Sequence, residues 1–270
     1  MDKKTVLVIG AHPDDCEIQT GGFALKCVQM GYRVIFMSAT NGETGHHELS
    51  REDTARIRKG EFEKSCSIGG IECFVTDIPS NKISPDVITR EMFVSVIRGY
   101  KPDIIVTHRL NDYHPDHRTT AQLVQDSSYA VKVPKVCPDV EPLRYTPVIL
   151  YMSDQFKRPY EFSPHIALDI DQVADKKMEM LACHESQVYE WLPWVDGVID
   201  QVPEENDQRF QWMKKSRSER DKKNADRFRN LLCKRYGEEK GQEIVYAEAF
   251  EICEYGRQIS VEELEQIFPK

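Results

Sequence analysis

The chain has 270 residues, 40% of them hydrophobic and 30% charged, with 45 acidic against 36 basic residues and a net charge of −9. That apolar fraction excludes a disordered or fibrous chain, and the length supplies ample core for a large α/β domain. A net-acidic chain is poorly suited to phosphate backbones, so no nucleic-acid partner is expected.

The eight cysteines contain no C-x-x-C pair and none stands at finger-like spacing from a histidine. This argues against a zinc ribbon or a redox dithiol, and the scatter reads as free thiols in a reducing cytosol. The start has a charged tip, Met1 to Lys4, and an apolar run too short for a signal peptide. No run approaches the roughly 18 apolar residues of a membrane span. A cytoplasmic protein with no membrane partner is the expectation.

Thr5 to Ile9 is a continuous apolar run ending in Gly10-Ala11, which predicts a strand buried on both faces. A helix carrying Phe23, Cys27 and Met30 follows and stops at Gly31. Tyr32–Ser38 predicts a second strand, 50–68 a charged helix and Ile71–Val75 a third strand. A helix over 86–99 is expected to end at Gly99; Asp103–Thr107 predicts the fourth strand and 117–132 the next helix. Steady alternation implies parallel pairing with right-handed crossovers. The expected fold is therefore α/β, a Rossmann-like doubly wound and mostly parallel sheet of order 3-2-1-4-5. In that order the loops after strands 1 and 4 face one another at the switch point, where such sheets bind ligands.

Farther on, Pro147–Met152, His165–Ile170 and 244–253 predict strands and 171–183 a helix. Residues 204–240 hold 12 basic against 8 acidic residues, read as a solvated helical face. With no repeat or long linker, the chain reads as a single domain over 1–270 with a helix-rich elaboration at 189–243. All three tryptophans, Trp191, Trp194 and Trp212, fall in that elaboration. Packing against a helix is their expected use, although aromatic faces also stack on sugars.

The two facing loops carry the chemistry. The first reads Gly10-Ala11-His12-Pro13-Asp14-Asp15-Cys16-Glu17 and the second Asn111-Asp112-Tyr113-His114-Pro115-Asp116-His117. His12 and Asp15 can chelate one cation from one loop, and His117 can add a third ligand from the other. Two imidazoles and a carboxylate suit zinc or another first-row divalent ion, and three protein ligands leave a position for water. Asp14, beside the ligand Asp15, is the natural base for that water. His114, oriented by Asp116, could stabilise an oxyanion or protonate a leaving amine as an imidazolium. Taken singly, an Asp-Asp pair is more often a turn or helix cap; two such loops at a switch point favour a metal site. Cys16 is either inert or a point of oxidation, and His46-His47 is expected to be an exposed loop pair.

Ala11-His12-Pro13-Asp14-Asp15-x-Glu17 with Gly21-Gly22 resembles the first signature of the PIG-L/LmbE-like metal-dependent deacetylases, and His114-Pro115-Asp116-His117 resembles their second. Thr40-Asn41-Gly42-Glu43, Ile57-Arg58-Lys59-x-Glu61, His184-Glu185-Ser186-Gln187 and Tyr246-Ala247-Glu248-x-Phe250 are similar to weaker family segments. The resemblance implies hydrolysis of an N-acyl group, usually acetyl, from an N-acetylglucosamine-type amino sugar. It implies zinc, or ferrous iron, on His12, Asp15 and His117. Asp14 would be the base, and His114, with Asp116 behind it, would stabilise the transition state. It implies substrate contacts from Arg58 and Asp112, and assemblies such as trimers or hexamers.

Two other classes stand beside this reading. A sugar- or metal-binding module without catalysis is disfavoured because Asp14, Asp15, His114 and His117 are all present. A dinucleotide-dependent oxidoreductase is disfavoured because the first turn lacks G-x-G-x-x-G and puts acidic groups where a pyrophosphate would lie.

Overall fold

The computed structural model describes residues 3–270; Met1 and Asp2 of the charged tip lie outside it. Seven strands form one sheet of order β3-β2-β1-β4-β5-β7-β6. These are β1 (Thr5–Gly10), β2 (Arg33–Ser38), β3 (Glu72–Val75), β4 (Ile104–Thr107), β5 (Val148–Met152), β6 (Ile166–Asp169) and β7 (Ala247–Ile252). The first five pair in parallel in the expected order, while β7 runs antiparallel between β5 and β6. Helices α1 (Asp15–Gln29), α2 (Arg51–Gly69), α3 (Val87–Tyr100), α4 (Pro115–Ala130) and α5 (Ala174–Ala182) cover both faces.

The continuous apolar run of β1 is explained by this sandwiching. Val6, Leu7, Val8 and Ile9 are all 0% exposed. Val6 and Val8 join a core with Phe23 and Cys27 of α1, Phe62 of α2 and Phe250 of β7. Leu7 and Ile9 join the opposite core with Phe93 and Ile97 of α3 and Leu123 of α4. Side chains alternate along a strand, so an unbroken apolar run is what two buried faces require. Each such side chain contributes about 1.5–3 kcal/mol over its exposed state, which fixes the strand that carries the first loop.

Pairing then sets the site. Ile9 stands opposite Thr107, so the chain leaves β1 and β4 side by side at the same edge. Several boundaries shift by one to three residues from the sequence expectation, and two of the shifts have a plain cause. Gly99 lies inside α3, which continues to Tyr100 and ends at Lys101 in the left-handed region (φ 52). The stop comes from Pro102, which disfavours helical geometry in the residue before it. Helix α4 begins at Pro115 rather than 117, because proline fits the first helical position, where its missing N–H costs nothing.

Past α5 a π-helical turn spans Ser186–Trp191, followed by helices at Asn206–Arg217, Glu219–Arg227 and Arg229–Tyr236. They attach through apolar contacts, Met213 on Met178 and Leu181 and Phe228 and Leu232 beside Phe162, and through a buried polar cluster. Lys177 of α5 donates to Asp221 (2.7 Å) and Glu248 (2.9 Å). Glu248 also accepts from the amides of Gly22 and Phe23 within α1. Gly22 is required there, since a Cβ would come within 2.6 Å of Ile170. Among the described residues all eight cysteines are free thiols, and no helix is long and apolar enough to cross a membrane.

Candidate active site

The first loop folds back on itself. The amides of Asp14 and Asp15 donate to the carbonyl of His12, and the His12 amide donates to Asp15 Oδ2 at 2.7 Å. That reciprocal turn leaves Asp15 Oδ2 3.3 Å from His12 Nδ1. In the second loop His114 caps α4 and His117 lies in its first turn. His117 Nε2 comes 3.5 Å from the same Asp15 oxygen. One donor atom from each of His12, Asp15 and His117 thus falls within 4.8 Å of the others.

Each imidazole is held from behind by a carboxylate. His12 Nε2 lies 3.0 Å from Asp116 Oδ2, and His117 Nδ1 lies 3.0 Å from Asp112 Oδ2. Ionised carboxylates only accept, so hydrogens sit on those nitrogens, and the ring nitrogens that face Asp15 are the ones a cation would take in place of a proton. A carboxylate behind each ligating imidazole is the support that metal sites use. Two imidazoles and one carboxylate fit a zinc-type divalent ion. Two other His/Asp groupings lie as close together, His12–His114–Asp116 and His108–Asp112–His117. They fit a cation less well, because His114 Nδ1 accepts the Asp116 amide and His108 Nε2 accepts the Ala11 amide.

The protonation pattern follows from burial and these pairs. Burial alone would depress His12, but its bonds to Asp116 and Asp15 prevail and raise it to about 9. Burial opposes the charge on His117 too, and Asp15 and Asp112 again outweigh it. Burial would raise Asp15, but the His117 and His108 imidazoles hold it well below the usual carboxylate range. His108 is pushed down to about 4, first by burial and then by His117, on which it stacks at 4.1 Å. A cation therefore displaces protons when it enters the triad.

Several expected roles change. Asp116 does not stand behind His114; its carboxylate is taken by His12 and by the Asn81 amide (2.8 Å). Asp112 is not in the cavity wall, since its two oxygens are spent on the His114 amide and on His117. The imidazolium form of His114 is disfavoured. Burial and the nearby His117 and His12 rings lower its pKa. Its Nδ1 is an acceptor for the Asp116 amide, so the proton resides on Nε2. A helix N-terminus holding a histidine neutral, so that it donates rather than protonates, is a known device.

Asp14 and Arg58 form a buried pair, with Nη2 3.0 Å from Oδ1, and Arg58 Nη1 donates to the Gly42 carbonyl. Arg58 does border the cavity, but its guanidinium is turned to Asp14. Gly42, at φ +71, makes room for it, as a Cβ there would meet the guanidinium at 2.7 Å. Cys16 is fully buried and burial pushes its thiol well above the usual range, so it is the inert alternative that holds.

A cavity of about 400 Å³ opens onto the triad. Of its other walls, Gln187 closes the His184-Glu185-Ser186-Gln187 segment, whereas Ser80, Asn81 and Trp191 lie outside the motifs. Ser80 and Asn81 come from the loop after β3, Gln187 and Trp191 from the π-helical turn. His108 was also missed, although the first residue past β4 is where the switch-point rule directs attention. The tryptophans divide: Trp212 packs beside Met213 and Tyr189 as expected, but Trp191 lines the cavity and Trp194 stacks on His47. His46 is buried against Glu190 rather than exposed.

Residues 7–128 match the family model PIG-L, described as GlcNAc-PI de-N-acetylase. The matched segment contains both His-Pro-Asp loops and ends well before Trp191. The chain is 28% identical over 206 residues to a diacetylchitobiose deacetylase of Thermococcus kodakarensis, covering 72% of this chain and 74% of that protein. It is 30% identical over 179 residues to the 1D-myo-inositol 2-acetamido-2-deoxy-alpha-D-glucopyranoside deacetylase of Thermobispora bispora, covering 55% and 59%. Among solved structures, the 4-carboxy-2-hydroxymuconate hydratase of Pseudomonas putida KT2440 superimposes with a TM-score of 0.71 at 20% identity, covering 95% of this chain and 98% of that one. That likeness shows the fold alone.

Proposed function

We propose that the chain is a metal-dependent N-deacetylase acting on an N-acetylglucosamine-type amino sugar or conjugate, with His12, Asp15 and His117 holding zinc or ferrous iron. The observation that carries the reading is the convergence of those three donors within 4.8 Å on a cavity that Asp14 and His114 also line. The sequence relatives supply the amino-sugar class, since both named deacetylases act on N-acetylated glucosamine compounds.

A divalent ion on this triad would supply Lewis-acid polarisation of a carbonyl and acidify water. Asp14 takes the proton from the attacking water, its carboxylate aimed by Arg58. His114 donates its Nε2 hydrogen to the oxygen that gains charge as the carbonyl carbon becomes tetrahedral. Asp112 and Asp116 keep His117 and His12 in the tautomers that face Asp15. When the C–N bond breaks, the proton held on Asp14 passes to the leaving amine. The products are acetate and the free amino sugar, with one water consumed.

The test is acetate release from N,N'-diacetylchitobiose by wild type and His117→Ala, alongside metal content per chain. Wild type should carry close to one zinc or iron and release acetate; the variant should lose most of both. Wild type that refuses metal and releases nothing would sink the reading. A hydratase reading is favoured by sequence likeness, 25% identity over 197 residues to the 4-oxalmesaconate hydratase of Pseudomonas putida. Water addition to 4-carboxy-2-hydroxymuconate without acetate release from any amino sugar would establish it instead.

A further inference from the structure

The π-helical turn Ser186–Trp191 lies outside the PIG-L match, yet it brings Gln187 and Trp191 to the same cavity as the triad. Such π segments in soluble proteins are rare and concentrate at functional sites. Trp191 heads a column of four parallel rings. Trp194 stacks on it at 5.4 Å and 16°, His47 on Trp194 at 4.9 Å and 10°, and His46 on His47 at 4.8 Å and 16°. The far end is anchored, since His46 Nδ1 accepts the amides of Glu48 and Leu49 and its Nε2 meets Glu190 at 2.8 Å. Trp194, at 47% exposure, lies partly in solvent. The column therefore leaves the cavity, passes through the half-exposed Trp194 and ends on the buried His46, and it fixes the plane of the indole at its inner end.

The cavity is two-sided in character. Ile18, Trp191 and Leu192 give it an apolar side, while Thr44, Ser80 and Asn81 give it hydroxyl and amide groups. The Ser80 hydroxyl is buried with no protein partner. A pyranose is two-sided in the same way, with hydroxyls at its rim and C–H groups on its face. A flat, immobilised indole complements that face and loses little entropy on binding. An open-chain acetamide has no face to offer it.

We infer that Trp191 is a specificity-determining residue, a rigid platform on which the pyranose ring of the substrate stacks beside the triad. The inference rests on the amino-sugar reading of this cavity and adds the residue that tells a ring from an open chain.

The experiment titrates the indole fluorescence of the metal-loaded chain with N,N'-diacetylchitobiose and with N-acetylethanolamine, an open-chain acetamide. Wild type, Trp191→Ala and Trp191→Phe are compared, with acetate release measured in parallel. The disaccharide should quench wild type, and Trp191→Ala should weaken its preference over the acetamide by roughly tenfold, mostly in KM. Trp191→Phe, which keeps a flat ring, should recover most of the preference. A folded, metal-replete Trp191→Ala that prefers the sugar as strongly as wild type would overturn the platform. Should wild type release no acetate yet show sugar-dependent quenching that Trp191→Ala loses, the deacetylase reading falls and the platform stands. Absence of any sugar-dependent quenching in wild type removes the platform whether or not acetate is released.

Discussion

The two His-Pro-Asp loops and the segment around Trp191 line one cavity but are held by different forces. The loops hang from the buried ends of β1 and β4, and backbone amides fix their side chains: His12 to Asp15, Asn81 to Asp116, His114 to Asp112. The segment past α5 is fixed by stacked rings and by a buried lysine that joins α5, β7 and the helix at Glu219–Arg227. Two of those three bonds are local and leave a short spacing in the chain. The column draws on positions more than a hundred residues apart, as in His47 with Trp194. The difference separates the donor spacing of the triad from the shape of the cavity around it.

That separation can be broken by substitutions that each touch one side. Asp14→Ala should produce the largest effect. Removal of a general base costs roughly a hundred- to ten-thousand-fold in kcat, while His12, Asp15 and His117 remain to hold metal. Steady-state acetate release with metal content on the same sample is the check. Full turnover with normal metal would end the assignment of Asp14 as base. Next in size, Lys177→Met strands Asp221 and Glu248 in the interior. Breaking one member of a buried ion cluster costs about 3–5 kcal/mol, to be read from the denaturant midpoint. Metal content should be unchanged in the surviving folded protein, because no triad residue contacts Lys177. A variant of normal stability would show that the cluster contributes little, and one that lost metal while folded would join the two regions.

The sequence disclosed the loops because the strands that carry them are unbroken apolar runs. A run such as Val6 to Ile9 permits only a strand buried on both faces, and alternation with helices then fixes neighbours and switch point. It disclosed the triad because two of its members lie three residues apart and the third follows a second His-Pro-Asp. It did not disclose which carboxylate serves which imidazole. Asp116 stands only two residues from His114, yet the first turn of α4 points its carboxylate across to His12. Nor did it single out Trp191: it favoured packing for all three tryptophans and kept sugar stacking as the alternative, because the position of Trp191 depends on a π-helical turn and on partners from a distant loop. Hydrophobic periodicity carries no signal for either, since both depend on the direction of side chains between elements.

The smallest predicted effect separates the two roles suggested for Asp112. In the structure Oδ1 accepts the His114 amide and Oδ2 accepts from His117 Nδ1. Asp112→Asn keeps the shape but leaves one acceptor where two are needed. If the amide oxygen turns to His117, the NH2 group confronts the His114 amide, donor against donor. If it turns to His114, the NH2 group donates to His117 Nδ1, and the ring must carry its hydrogen on Nε2, the nitrogen facing Asp15. Either way His117 is a poorer ligand. Loss of such a supporting carboxylate typically weakens metal binding by roughly 10- to 100-fold. Competition against a chelator should register that loss, and acetate release should recover as metal is added in excess. A residue that gripped the sugar would behave in the opposite manner, with KM raised, metal affinity intact and no rescue by added metal.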